Sequence, residues 1–318
     1  MLTLKAFNYL TPQTLAEATS LLARYKDEAK VIAGGTDLVP LMKERVITPK
    51  YLIDIKQISS LDYIKWDEKE GLSIGALTKI YEILNSDIIK EKYFSLHQAA
   101  ESFGTTQVRN MATIGGNICR SSPSADTVPP LLVFDARVKL VTPEGERKET
   151  YITGPGEAAI KSDAQMKSAK PKGERTVPLE SFFTGPGENV LTNEILTEIQ
   201  VPPPPRPCGT AFKKLARTAE DLAKVNCAVR IVVTNGKCKD IRIALGAVAP
   251  TPVRARKVEQ ALIGKEINPR VIEEAAVKVA EDIAPMTDVR SNTEYRTYIS
   301  QILVKRLIHE AIERLGEK

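Results

Sequence analysis

The 318-residue chain is 42% hydrophobic and 27% charged, a size and balance that suit about two soluble domains and exclude a mini-protein, a disordered chain and a fibrous repeat. Its formal charge of +5 comes from 45 basic against 40 acidic residues spread along the sequence, without the concentrated basic stripe and interleaved aromatics of a nucleic-acid binder. No stretch approaches about 18 uninterrupted apolar residues, so no membrane span is expected.

The first predicted element is a helix over 14–25, with Leu15, Ala18, Leu21, Leu22 and Tyr25 on one face and Thr14 and Glu17 at capping-box spacing. A short β-type run, Lys30 to Ala33, stops at Gly34 and Gly35, and a second covers Tyr51 to Ile55. Another strand is predicted from Leu72 to Ala76, then helices from Thr78 to Leu84 and from Tyr93 to Ser102. Glycine punctuation returns at Gly104 and at Gly115 and Gly116, and Arg137 to Thr142 alternates as a half-buried strand before Pro143 and Gly145.

Between 143 and 188 the chain echoes itself: PEGER and TGPGE, beginning at Pro143 and Thr153, return as PKGER and TGPGE, beginning at Pro171 and Thr184. The stretch Ala158 to Lys172 is poor in large apolar residues and reads as an exposed insertion, taken as about 150–173. Four prolines, Pro202 to Pro205, form an extended connector and the best domain boundary. Beyond it, Cys227 to Thr234 and Asp240 to Val248 are strands turned at Asn235 and Gly236. Helices close the chain. Asn268 and Pro269 start one whose face is Val271, Ile272, Ala275, Ala276 and Val279, and a final one carries Tyr295, Tyr298, Ile299, Ile302, Leu303 and Leu307 and stops near Gly316. The opening segment reads as α/β and the strands-then-helices module after the connector as α+β, with the proline run separating a domain over 1–201 from a smaller one over 207–318.

The four cysteines contain no CxxC pair, a poor pattern for zinc or an iron–sulfur cluster. Only His97 and His309 exist, so a multi-histidine metal site is excluded and any redox chemistry must rest on a bound organic cofactor. The opening MLTLKAFNYLTPQTL has no basic region followed by an apolar core, and the expectation is a cytoplasmic protein.

Two glycine pairs stand out, Gly34-Gly35 in VIAGGTDL and Gly115-Gly116 in ATIGGN. Glycine permits close backbone approach, so successive N–H groups of two such loops can converge on one pyrophosphate. Two ordinary tight turns suit the residues equally, and neither loop is a Rossmann or Walker fingerprint.

VIAGGTDL (Val31 to Leu38), QVRNMATIGGN (Gln107 to Asn117), SPSADTVPPLL (Ser122 to Leu132), FFTGPG (Phe182 to Gly187) and EILTEIQVP (Glu194 to Pro202) occur in this order along the chain. Together they resemble the FAD-binding medium subunits and domains of the molybdenum hydroxylases, the xanthine dehydrogenase, carbon monoxide dehydrogenase and 4-hydroxybenzoyl-CoA reductase group, over nearly the whole sequence. The resemblance implies a non-covalent FAD in the two-part vanillyl-alcohol oxidase (PCMH-type) fold, followed by a smaller α+β C-terminal domain. It assigns cofactor contacts to Val31, Ile32, Ala33, Gly34, Gly35, Thr36, Asp37 and Leu38 around the pyrophosphate, and to Thr113, Ile114, Gly115, Gly116 and Asn117 as a second phosphate and ribityl loop. Phe103 matches the family's aromatic near the flavin, and Asp126, Leu196 and Lys213 align with flavin-contacting positions.

The chemistry of these side chains is compatible with that assignment. Asp126 can accept from cofactor hydroxyls, Leu196 can cover a ring face, and Lys213 can stabilise charge on reduced flavin. Taken without the resemblance, Asp126 equally suits a turn or N-cap, Phe103 and Leu196 the core, and Lys213 a solvated surface. Arg109 and Asn110 read as positioning the second loop, Cys119 as a small packing residue, and no local His or Cys invites covalent flavin attachment. Some 4-hydroxybenzoyl-CoA reductase subunits carry a cysteine-rich insertion for a four-iron cluster after the second glycine loop, but here Ser121 to Leu132 runs on without it.

The partners that the resemblance implies are a molybdopterin-binding large subunit, a small subunit with two-iron two-sulfur clusters, and an acceptor such as NAD, ferredoxin or a quinone. On that reading the chain is an oxidoreductase flavoprotein of a hetero-oligomer with no acid or base of its own on the organic substrate. Two alternatives stay open: a non-catalytic assembly or nucleotide-binding subunit of the same fold, and a free-standing flavin oxidoreductase.

Overall fold

The computed structural model of the chain describes residues 3–143 and 173–316. The insertion expected at about 150–173, and the first copies of the repeated motifs, lie outside the described residues apart from their end positions. Three sheets and a two-stranded ribbon organise the described residues.

β1 (Asn8–Leu10), β2 (Ala29–Ile32) and β3 (Tyr51–Asp54) form a parallel sheet in the order β1-β3-β2. Parallel strands need crossovers, and the helix Leu15–Tyr25 carries the chain from β1 to β2, the two strands that flank β3. Thr14 caps that helix by accepting from Glu17 N at 3.2 Å, the Glu17 carboxylate accepts from Gln13 N at 2.9 Å, and Ala18, Thr19 and Leu22 are the buried face.

At the end of β3, Asp54 is almost fully buried. Burial pushes its carboxyl up, but the Tyr9 hydroxyl, the Lys56 N–H at 3.0 Å and the Lys56 ammonium at 2.9 Å outweigh that and hold it below the usual carboxylate range. Stability from a depressed carboxyl is present above its unfolded pKa and is lost as pH falls through the folded one. Tyr9→Phe is therefore expected to cost about 1 kcal/mol at pH 7, the low end for a bond to a charged group because Tyr9 is exposed. The difference from the parent chain in urea unfolding should shrink as pH falls through the depressed range in which the Asp54 carboxyl takes up its proton.

β4 (Ile64–Asp67), β5 (Gly71–Gly75), β6 (Arg137–Val141), β7 (Glu174–Pro178) and, past a two-stranded ribbon of β8 (Phe183–Gly185) and β9 (Glu188–Asn189), β10 (Ile195–Val201) make the second sheet. Its order is β4-β5-β10-β6-β7, antiparallel throughout. Between β5 and β6 the chain runs through six helices of five to eight residues, and their apolar faces close on the sheet in a core that includes Leu72, Ile74, Ile83, Tyr93, Ile114, Leu131 and Ile199. Each such side chain contributes roughly 1.5–3 kcal/mol by leaving water. The Pro202–Pro205 connector is tied down where the buried Tyr93 hydroxyl donates to Pro202 O at 3.0 Å.

β11 (Gly209–Leu215), β12 (Val225–Thr234), β13 (Lys237–Gly246) and β14 (Val253–Arg254) form an antiparallel sheet in chain order. Asn235 and Gly236, with φ of 50° and 73°, make the tight turn expected between β12 and β13. Helices Arg256–Leu262, Pro269–Ala276 and Thr293–Gly316 cover this sheet. Asn268 caps the second by accepting from Val271 N at 3.0 Å. On the last helix Leu303, Val304, Leu307, Ile308 and Ala311 are buried, but Tyr295 and Tyr298 are exposed, contrary to expectation. The reason is local: Arg296 and Ser300 take the inward face there, and Arg296 Nη2 reaches Asp288 Oδ1 at 2.7 Å. Among the described residues no helix is long and apolar enough to cross a membrane.

Candidate functional site

The first glycine pair sits where β2 ends and the chain turns into the short helix Leu38–Lys43. Gly35 has a φ of 71°, the left-handed region that side chains resist. Gly34 is demanded by proximity, since a Cβ built there would lie 2.0 Å from Met111 O, and the two glycine segments touch at this point. The backbone N–H groups of Gly34, Gly35, Thr36, Asp37 and Leu38 find no acceptor among the described residues, and the first bonded amide is Val39 N, to Gly35 O at 3.0 Å. Unpaired backbone donors on successive residues are an anion-binding surface.

The second pair behaves differently. Its residues are not a loop but the start of the helix Ile114–Cys119, capped by Thr113. Ile114 N donates to Thr78 O at 3.0 Å, Gly115 N to Ala76 O at 3.0 Å, Gly116 N to Thr113 Oγ1 at 3.1 Å and Asn117 N to Thr113 O at 3.0 Å. The expectation that both segments offer successive N–H groups to one anion is thus corrected: the first offers them, and the second is a wall. Gly115 is small because a Cβ there would lie 2.7 Å from Ala76 Cβ, whereas a Cβ on Gly116 would meet only the Thr113 hydroxyl.

Between the segments lies a cleft of about 330 Å³, within the range of small-molecule sites. Fourteen of the seventeen expected contacts line it: Val31, Ile32, Ala33, Gly34, Gly35, Thr36, Asp37, Leu38, Phe103, Thr113, Gly115, Gly116, Asn117 and Leu196. Leu196 faces it at a register shift between Leu196 and Glu198 in the pairing of β10 with β6, the kind of irregularity that re-aims a side chain. Phe103 is held by its neighbours, for Arg109 Nη1 donates to Phe103 O and Gly104 O, both at 3.0 Å, and Lys214 Nζ to Ser102 O at 3.0 Å. Arg109 therefore braces the Phe103 loop rather than the second glycine segment.

Three expected contacts stand outside the lining. Ile114 is wholly buried, in the core behind the second segment. Asp126 is 5% exposed, its Oδ2 accepting from Lys214 Nζ at 2.8 Å and its Oδ1 from Asn226 Nδ2 at 2.9 Å. Burial pushes the Asp126 carboxyl up, against the pull of those two donors. Lys213 is exposed, because neighbouring residues of β11 point to opposite faces and Lys214 takes the inward one.

Sequence reading missed Lys30, Ile55, Cys119, Arg120, Leu191, Glu194 and Ile195, all of which line the cleft. Arg120 lies three residues after Asn117, a spacing that brings side chains to one helical face and could have found it. Burial pushes the Cys119 thiol up to about 12, which leaves it protonated and unreactive at neutral pH. Glu194 is fixed by Arg175, whose Nε and Nη2 each reach a carboxylate oxygen at 2.6 Å. Among the described residues no group of His, Cys, Asp and Glu could hold a metal ion.

An apolar cleft lined by a strip of free amide donors is the kind of site that takes a nucleotide cofactor. Residues 5–162 match the family model described as the FAD binding domain in molybdopterin dehydrogenase, and 210–311 that of the CO dehydrogenase flavoprotein C-terminal domain. The chain is 32% identical to the xanthine dehydrogenase FAD-binding subunit of Escherichia coli over 98% of each. It is 33% identical to the carbon monoxide dehydrogenase medium chain of Hydrogenophaga pseudoflava, over 97% of this chain and 98% of that one. A solved structure of carbon monoxide dehydrogenase from the same organism, lacking the Mo-pyranopterin moiety, matches with a TM-score of 0.86 and 33% identity over 98% of this chain and 99% of that chain. The chain belongs to the family of FAD-binding subunits of molybdopterin dehydrogenases; it is an oxidoreductase component, and its cofactor is FAD.

Proposed function

We propose that this chain is the flavin-carrying electron-transfer subunit of a cytoplasmic molybdenum hydroxylase complex, with FAD held non-covalently in the cleft. The observation that carries the reading is the run of free N–H donors from Gly34 to Leu38 in a cleft that Phe103, Ile195 and Leu196 also line. The donors would hold the diphosphate, each bond to a charged group being worth roughly 1.5–3 kcal/mol, and the apolar walls would take the ring system. Bound FAD supplies a carrier able to exchange electrons singly with one partner and in pairs with another. This chain's residues bind and orient that carrier. Neither histidine lines the cleft, and its one cysteine, Cys119, is a neutral thiol.

The relatives are medium chains or FAD-binding subunits by name, which supports a complex with a molybdopterin-bearing large subunit and a small subunit carrying two-iron two-sulfur clusters. Electrons would pass from those clusters to the flavin and on to NAD, ferredoxin or a quinone. In this reading 1–201, subdivided near 57, is the FAD-binding part and 207–318 the C-terminal domain. The test is the visible spectrum of the purified chain, followed by acid release of its cofactor. Flavin bands and one equivalent of acid-released FAD are expected. A colourless chain that takes up no added FAD would overturn the reading.

A further inference from the structure

The cleft contains a charged pair that the fold does little with. Arg120 follows the helix Ile114–Cys119 on one wall, and Asp37 ends the first glycine loop on the other. Arg120 Nε lies 3.5 Å from Asp37 Oδ1, with the side chains 36% and 55% exposed. A pair so exposed adds little to stability. Nor does Asp37 serve as a helix cap, since its carboxylate accepts no backbone bond from the helix that it precedes. Its own N–H is one of the free donors. An anion received by those donors therefore meets the Asp37 carboxylate as a like charge and the Arg120 guanidinium as an opposite one.

We infer that Arg120 is a cofactor-binding residue that exchanges Asp37 for the FAD diphosphate when the cofactor enters. The inference rests on the reading that the diphosphate lies at Gly34 to Leu38. A guanidinium suits the exchange, because its planar donors can serve a carboxylate and a phosphate alike. Asp37 keeps the arginine at the cleft in the free protein, and its repulsion of phosphate is offset once Arg120 turns to the cofactor. The guanidinium also lies against Gly187, where an added Cβ would come within 3.2 Å of Nη1, so glycine at that position leaves the space that Arg120 occupies.

The experiment measures binding of FAD, riboflavin and ADP to the full-length apoprotein, by quenching of flavin fluorescence and by ADP competition against FAD. Arg120→Gln is expected to weaken FAD and ADP by roughly 10- to 100-fold and to leave riboflavin, which has no diphosphate, unchanged. Arg120→Lys should recover part of the loss. Asp37→Asn should tighten FAD by about 3-fold, and the double variant should bind better than Arg120→Gln alone. FAD binding should also depend less on salt in Arg120→Gln than in the parent. Unchanged FAD affinity in Arg120→Gln overturns the inference, as does an equal loss for riboflavin, which would make Arg120 a shaper of the cleft only. ADP that fails to displace FAD from the parent protein overturns the placement of the diphosphate as well, so the two failures are told apart.

Discussion

Lys214→Met is expected to cost the chain about 3–5 kcal/mol, the usual penalty for removing one partner of a buried ion pair. Lys214 and Asp126 have side chains only 5% and 6% exposed. Methionine keeps most of the volume of lysine but leaves Asp126 with Asn226 as its remaining donor. Burial has already lifted the Asp126 carboxyl, and loss of the ammonium will lift it further. A carboxyl raised in the folded state binds its proton more tightly than the unfolded chain does, so the stability of Lys214→Met should fall as pH rises above the ordinary carboxylate range, about 4. Urea unfolding at pH 5 and pH 8 tests this, with the larger deficit expected at pH 8. Lys214→Met combined with Asp126→Asn removes both charges and should recover most of the loss. A single variant as stable as the parent at pH 8 would show that the pair contributes nothing.

The same lysine donates to Ser102 O, one residue before Phe103. Asp126 belongs to the part of the chain before the proline connector, whereas Lys214 and Asn226 belong to the sheet after it. The C-terminal sheet thus helps to hold a wall of a cleft to which it contributes no lining residue. Lys214→Met should accordingly release FAD faster, even under conditions where the chain remains folded.

Gly34→Ala is the second large effect. The added methyl would sit 2.0 Å from Met111 O and 3.0 Å from Ala112 Cα, and these are backbone atoms that no rotamer change can move aside. The two glycine segments must separate, at a strain of about 1–3 kcal/mol. Because they form facing walls of the cleft, the expected result is FAD binding weakened by roughly 10- to 100-fold, read as lost cofactor on gel filtration and a raised dissociation constant. Gly116→Ala is the comparison. Its methyl would meet only Thr113 Oγ1, at 2.9 Å, and it should retain FAD far better. Equal retention by both variants would mean that contact between the segments does not set the shape of the site.

Much of this architecture could be read from residue pattern because it is locally encoded. The helix capped by Thr14, the turn at Asn235 and Gly236 and the cap at Asn268 each depend on a few adjacent residues. The glycine pair at Gly34 was equally visible. What stayed hidden depended on distant partners. Nothing in ATIGGN reveals that its amides are consumed by Ala76 O and Thr78 O. Whether Lys213 or Lys214 faces inward is a matter of strand parity, fixed only when β11 pairs with β12. Tyr295 and Tyr298 followed the apolar period but yielded the inner face to Arg296, whose partner Asp288 lies outside the helix. Helical spacing from Asn117 points to Arg120, but its ion pair with Asp37 joins residues far apart in sequence.

The position of β10 in its sheet bears on the order in which the protein can assemble. It lies in the middle, between β5 and β6, although it is the last of the five strands in the chain. Until Ile195–Val201 has left the ribosome, β5 and β6 each present an unpaired edge and the Leu196 side of the cleft does not exist. The nascent chain must therefore keep two sticky edges apart while most of this domain is being made, and a product truncated before Ile195 would expose them permanently. Cofactor capture is thereby postponed until synthesis of the domain is nearly complete, which makes FAD a ligand of the finished fold rather than a scaffold for building it.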